Sequence, residues 1–171
     1  MRSNWRFSLF PLCLAAVVAG CAADSPTFVA THETPAFSVV PGGCAFPVVT
    51  TGILPPINAD GSSSYQLGRT LPVKIRFTDC VTGEGVNTLT PALALALVGL
   101  GDTPVNEIVS SSAADVGTTM RSAGDGQYIF NLSTKRSQFN SGQDLTPGEY
   151  QLTISSPGSF EDVLVRFSIR P

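Results

Sequence analysis

Apolar and polar residues alternate along most of this chain, starting near residue 36. Leu71, Val73, Ile75 and Phe77 are apolar, and Lys74 and Arg76 stand between them. Successive side chains of a strand point to opposite faces, so this pattern predicts a half-buried strand over residues 71–77. Leu93-Ala-Leu95-Ala-Leu97 alternates large with small between Pro91 and Gly99. Leu and Ala are good helix formers, which leaves a short helix open, but the strict alternation and its Pro and Gly bounds favour a strand. Tyr128, Phe130 and Leu132 form a third inward set, and Tyr150, Leu152 and Ile154 a fourth. Val163, Val165, Phe167 and Ile169 form the last, with Arg166, Ser168 and Arg170 outward. Weaker strand candidates are residues 37–40, 47–51 and 107–111. Turn chemistry separates these runs: Asp60-Gly61, Thr82-Gly83-Glu84-Gly85, Gly124-Asp125-Gly126, Pro147-Gly148 and Pro157-Gly158. Seven or eight short strands without a convincing helix predict an all-β fold, an immunoglobulin-like antiparallel β-sandwich over residues 37–171.

The first twenty residues follow a different rule. Arg2 and Arg6 precede an apolar run over residues 7–19, which ends in small residues. The run is shorter than the ~20 residues a membrane-spanning helix needs. A basic start, a short apolar core and small residues at its end describe an export signal over residues 1–20. Val18-Ala19-Gly20-Cys21 resembles the bacterial lipobox. That resemblance implies cleavage before Cys21 and a diacylglycerol on its sulfur. Ala22 rather than Asp after the cysteine implies sorting to the outer membrane of a Gram-negative host. The other reading is cleavage near Ala23 and a soluble secreted protein. Residues 21–36 are polar, Pro-punctuated and without period, as in a tether, and some 15 residues reach ~50 Å at most.

Composition narrows the partners. Removal of residues 1–20 from the 171 leaves a single domain's worth of chain, with eight basic and thirteen acidic residues. No basic run or patch stands out, which argues against nucleic acid as a partner. Charged residues make up 13% of the chain, about half the usual share, so hydroxyls and small side chains must cover much of the surface. Of four cysteines, Cys13 leaves with the signal and Cys21 takes the lipid. Cys44 and Cys80 remain as an even pair in an oxidising compartment, which predicts a disulfide. Zinc is a poor alternative, since two cysteines 36 positions apart and one histidine, His32 in the tether, do not make four ligands.

The search for chemistry returns little. No G-x-S-x-G is present, and His32 lies far from any serine–aspartate pair in the domain. Glu161-Asp162 are adjacent carboxylates, and neighbours on a strand face opposite ways, so a solvated loop is the better reading. Asp60, Asp102 and Asp125 each sit in a Gly-rich turn and are the most plausible calcium ligands, without forming an EF-hand run. No metal or other cofactor is expected. Lys74, Arg76, Lys135 and Arg136 would form a small basic patch if their strands were neighbours. The competing view is that they keep a wet sheet face from pairing with other chains.

One set of residues has a family likeness. The stretch Gly68-Arg-Thr-Leu-Pro72-Val-Lys74-Ile75-Arg-Phe resembles the hallmark of bacterial PxKF-domain proteins. Gly126-Gln-Tyr128-Ile-Phe-Asn131-Leu-Ser-Thr134-Lys135 and Gly148-Glu-Tyr150-Gln-Leu-Thr follow in the family's order and spacing, over about residues 65–170. Ile75 replaces the family's usual Phe and keeps the alternation. The resemblance implies an Ig-like module in an extracytoplasmic setting and supplies no activity. Its motif residues here are Pro72, Lys74, Tyr128, Asn131, Lys135 and Tyr150. Tyr150 also fits the tyrosine corner of immunoglobulin-like sandwiches, or else an ordinary strand-edge tyrosine.

The sequence thus points to a non-enzymatic module, lipid-anchored at the cell envelope and serving an envelope or surface protein. A carbohydrate-binding module is the alternative. Trp5 leaves with the signal, and most remaining aromatics fall on inward phases, which weakens a glycan site. A secreted enzyme comes third.

Overall fold

A computed structural model describes residues 43–99, 101–139 and 142–171. Nine strands form among the described residues: β1 Val48–Leu54, β2 Ser64–Gln66, β3 Thr70–Asp79, β4 Ala92–Leu97, β5 Thr103–Pro104, β6 Arg121–Gly124, β7 Gln127–Ser133, β8 Gly148–Ser155 and β9 Val163–Arg170. The five strong sequence patterns fall in β3, β4, β7, β8 and β9. In β4 the alternation prevails over helix propensity, because every Leu then meets the opposite sheet while every Ala faces away. The weak run 47–51 becomes β1, starting one residue later. Residues 107–111 are a correction. Their ladder contacts are the single bridges Glu107–Gln138 and Ser110–Leu132, and they form no strand. The candidate over 37–40 lies outside the described residues.

The strands make two sheets, ordered β1-β3-β7-β6 and β2-β9-β8-β4-β5. In immunoglobulin lettering the first is A-B-E-D and the second runs G-F-C-C′ from β9 to β5. This order, with the sheets packed face to face, makes the fold an immunoglobulin-like β-sandwich. All pairings are antiparallel except β2 with β9, which is parallel over three residues. The chain leaves β1 through a cis Pro55–Pro56 bond and crosses to the other sheet.

The inward positions of both sheets close one core. Phe77, Tyr128, Phe130, Tyr150 and Phe167 are its largest fully buried side chains. Tyr150 stacks on Phe167 at 6.1 Å between ring centres, and Phe77 meets Phe160 at 4.2 Å. Antibody domains place a core cysteine two residues after the corner tyrosine. Here that position is Leu152, fully buried, so apolar packing takes the place of a bridge between the sheets. The disulfide lies elsewhere. Cys44 is bonded to Cys80, with Cα atoms 6.4 Å apart, and so joins the segment before β1 to the residue after β3. Cys80 N–H also donates to the Pro47 carbonyl at 3.0 Å.

On the flank beside β6 the loop after β3 folds back along the sheet. Val86 N–H donates to the Phe77 carbonyl, and Phe77 N–H to that of Gly126. The backbones approach closely there. A Cβ on Gly126 would lie 2.1 Å from the Phe77 oxygen, and one on Gly85 2.5 Å from the Asp125 carbonyl carbon. Only glycine fits at either position.

Candidate functional site

Pro72 and Asn131, two motif residues far apart in sequence, are direct partners across β3 and β7. The backbone of Asn131 faces away from β3. Its N–H donates to Asp115 Oδ2 at 3.2 Å, and its carbonyl accepts from Ser111 N–H at 2.8 Å. The pair is therefore one of the non-bonded pairs of an antiparallel ladder, and Pro72 directs its missing N–H toward β1. β1 has already ended, since its last pairing is Leu54 with Lys74. A proline inside a central strand is tolerated here because no ladder bond is lost.

On the other side of β7 the loop over 109–115 continues what β6 leaves unfinished. β6 pairs with β7 only as far as Ile129. Beyond it, Ser111 and Asp115 take the backbone of Asn131, and Ser133 N–H donates to the Val109 carbonyl at 2.9 Å. The Asp115 carboxylate is fully buried, with Oδ1 held by Arg121 Nη1. Oδ2 accepts from the Ser110 hydroxyl and from Asn131 N–H. Burial works against ionisation most strongly. The Ser110 hydroxyl, the Asn131 N–H and Arg121 together outweigh it and hold the carboxyl below its ordinary range. A concavity of about 460 Å³ opens over this cluster, with Arg136 at its rim. Sequence reasoning missed Asp115 and Arg121. The signal was a Ser-rich stretch, Ser110-Ser-Ser, running into an aspartate with an arginine six residues on.

The tyrosines are committed in the same way. Tyr150 Oη donates to the Thr146 carbonyl at 2.7 Å and accepts from Thr146 N–H at 3.1 Å, which makes it a tyrosine corner. Tyr128 Oη accepts from Leu89 N–H at 2.9 Å. Burial raises the pKa of both hydroxyls. Tyr65 Oη donates to the Pro56 carbonyl, and its ring meets Phe167 edge-on at 5.9 Å.

β3 and β7 are neighbours, yet Lys74, Arg76, Lys135 and Arg136 do not gather into one basic patch. Arg76 pairs with Asp125 at 2.8 Å at one end of β3. Lys135 and Arg136 lie past the other end, where Thr134 binds the Arg69 carbonyl through its N–H and hydroxyl. Lys74 stands between, across β7 from Arg121 in one row, Lys74–Ile129–Arg121. The three turn aspartates are also apart. Asp60 accepts from Ser62 N–H, Asp102 from Gly99 N–H, and Asp125 holds Arg76. Among the described residues no three His, Cys, Asp or Glu gather as a metal site. Glu161 and Asp162 are exposed in the loop before β9. Cys21 and His32 lie outside the described residues. No described helix is long and apolar enough to cross a membrane.

A groove remains at the flank opposite β6. It holds about 690 Å³ between β1 and the start of β9, beside the disulfide. Phe46, Val48, Val49, Phe160 and Val163 line it, and Glu161 and Asp162 stand at its rim.

No family model and no curated protein matches this chain. Solved structures resemble it at low identity. The BTLA ectodomain is 8% identical over 71% of this chain and 97% of its own, with a TM-score of 0.38. Domains 4 and 5 of the S-layer protein SbsC are 15% identical over 72% and 54%, with a TM-score of 0.37. The titin M3 domain is 12% identical over 72% and 97%, with a TM-score of 0.33. At these identities the likeness concerns the fold alone.

Proposed function

We propose that this chain is an exported, non-catalytic interaction module, held at the cell envelope by lipid on Cys21 and serving an envelope or surface protein. One observation carries the non-catalytic part. Asp115 and the hydroxyls of Tyr65, Tyr128 and Tyr150 are all engaged in closing turns and strand ends. Three donors fix the Asp115 carboxylate in the fold and hold it to a structural task, and Ser110 beside it has no histidine among the described residues. The Cys44–Cys80 disulfide supports an oxidising, extracytoplasmic setting. The lipobox-like end of the leader supports the anchor, and the Pro72–Asn131 pairing gives the PxKF-like pattern a structural use. The glycan alternative has less support, because the described tyrosines are tied by their hydroxyls rather than offered as stacking platforms.

The anchor is tested by metabolic labelling with an alkyne fatty acid, in wild type beside Cys21→Ser, followed by membrane fractionation. Label and membrane association in wild type, both lost in the variant, are the expected result. A soluble, unlabelled wild type returns the chain to the plain secreted class. Affinity capture from the same membranes then tests the interaction role, and the expected result is one stoichiometric partner.

A further inference from the structure

β1 ends its sheet, so its outer edge has no strand partner among the described residues. β9 has β8 on one side, and β2 joins its other side only from Ser168 onward. Ahead of that pairing the loop at Gly61 lies against Arg166, so the open part of the outer edge is the start of β9 at Val163. These two edges flank the same groove. Its floor is apolar, and Val49 is 41% exposed on it. β1 itself reads Val-Val-Thr-Thr-Gly-Ile-Leu, without a charge or a proline, and its one irregularity is a register shift between Thr50 and Ile53, which leaves Val48–Thr50 as its regular edge. Proteins usually guard a free edge with lysine, proline or a cover, because a bare β-branched edge recruits other strands. Here the only charges on the groove are negative, Glu161 and Asp162, and neither makes an ion pair among the described residues.

We propose that this seam receives an extended segment of a partner protein as an added strand. The segment is apolar where its side chains enter the groove, and it carries Lys or Arg where it passes Glu161 and Asp162. Main-chain bonds to an open edge give such a contact its affinity, and the alternate side chains give it selectivity. Charge sets the source of the segment. The chain's own leader-side residues contain no Lys or Arg between Cys21 and Arg69, so they leave both carboxylates unmatched. A basic-apolar strand from another protein matches the floor and the rim together. The inference rests on the interaction role proposed above and names the chemistry of its partner.

The test uses the full exported chain and two short synthetic peptides of alternating valine and threonine, one capped by lysines and one by glutamates. Fluorescence anisotropy reads binding, and hydrogen exchange reads the site. The expected result is a preference for the lysine peptide of about tenfold or more, falling with salt. The paired variant Glu161→Lys, Asp162→Lys reverses that preference, and Val49→Lys weakens both peptides. The amides of Val48–Leu54 gain protection when the lysine peptide binds. Both variants alter exposed side chains, and circular dichroism melting checks that they fold. Several results overturn the proposal: neither peptide binds, both bind alike with no effect of the reversal, or protection falls elsewhere. Slow exchange over residues 37–40 in the free chain, with no peptide binding, makes the chain's own segment the occupant. A partner captured equally well by the charge-reversed variant keeps the interaction role and removes the seam from it. Absence of any captured partner removes the role itself.

Discussion

The two flanks of the sandwich treat their strand ends in opposite ways. On the β6 flank, loops finish the work of strands. Asn87 Oδ1 accepts from Gly126 N–H at 2.8 Å, Tyr128 holds Leu89, and Asp115 takes the N–H of Asn131 where β6 has stopped. On the β1–β9 flank the outer edge of β1 and the start of β9 have no strand beside them among the described residues, and an apolar groove lies there. Buried backbone groups must find partners, and a loop can supply them as well as a strand can. Where neither a strand nor a loop covers an edge, that stretch is available to something else.

Glycines give the sharpest test of this contrast. Gly126→Ala places a Cβ on the Phe77 carbonyl at a φ of +71°, and neither backbone can yield. A loss of ~3 kcal/mol or more, or failure to fold, is expected in urea titration. Gly52→Ala, on β1, keeps the left-handed strain at φ +96° but meets nothing within 4 Å. Its cost is expected near ~1–2 kcal/mol, the strain alone. Equal losses at the two sites would break the contrast.

Replacing Cys44 and Cys80 together by serine opens a loop of about 37 residues, worth ~3–4 kcal/mol on the chain-entropy model. Calorimetry of the variant beside the oxidised protein measures it. Asp115→Ala leaves Arg121 and the Asn131 N–H without their acceptor, and a loss of ~2–3 kcal/mol is expected. Asp115 also sets a pH dependence. Its carboxyl is held below the ordinary value, so its contribution is complete above the unfolded pKa of ~3.9 and disappears as pH falls through the lower folded value. Acid titration of stability should show that fall in wild type and a flatter curve in Asp115→Asn. Tyr128→Phe removes one bond to the loop over 84–89 and should cost ~1 kcal/mol. Val49→Thr, on the open edge, should stay within ~0.5 kcal/mol.

Period-two patterning was enough to find the strands that carry the core. Leu71 to Phe77 and Val163 to Ile169 alternate because each must bury one face and wet the other. β2, β5 and β6 escaped because they bury little. Arg121-Ser-Ala-Gly124 has one half-buried residue and three exposed ones, so no alternation marks it. Residues 107–111 read as a strand from their Ile and Val, yet their backbone serves as a cap on β7. Tyr150 was ambiguous until its hydroxyl was placed against Thr146, four residues upstream. The disulfide followed from cysteine arithmetic alone. The groove had no local signature, since Val48 and Val163 meet only after the whole sandwich has closed.

The position of the disulfide has a mechanical consequence. Tension applied to the chain ahead of Cys44 would enter β1 at Val48 and could peel it from β3 one pair at a time. Val48 lies opposite Asp79, and Cys80, next to Asp79, carries the bridge. A pull from the N-terminal side is therefore shunted through sulfur to Cys80 and on into the chain that follows β3. β1 lies inside the closed loop and is bypassed by the load, so the edge beside the groove keeps its shape under a force that would strip it in the reduced protein.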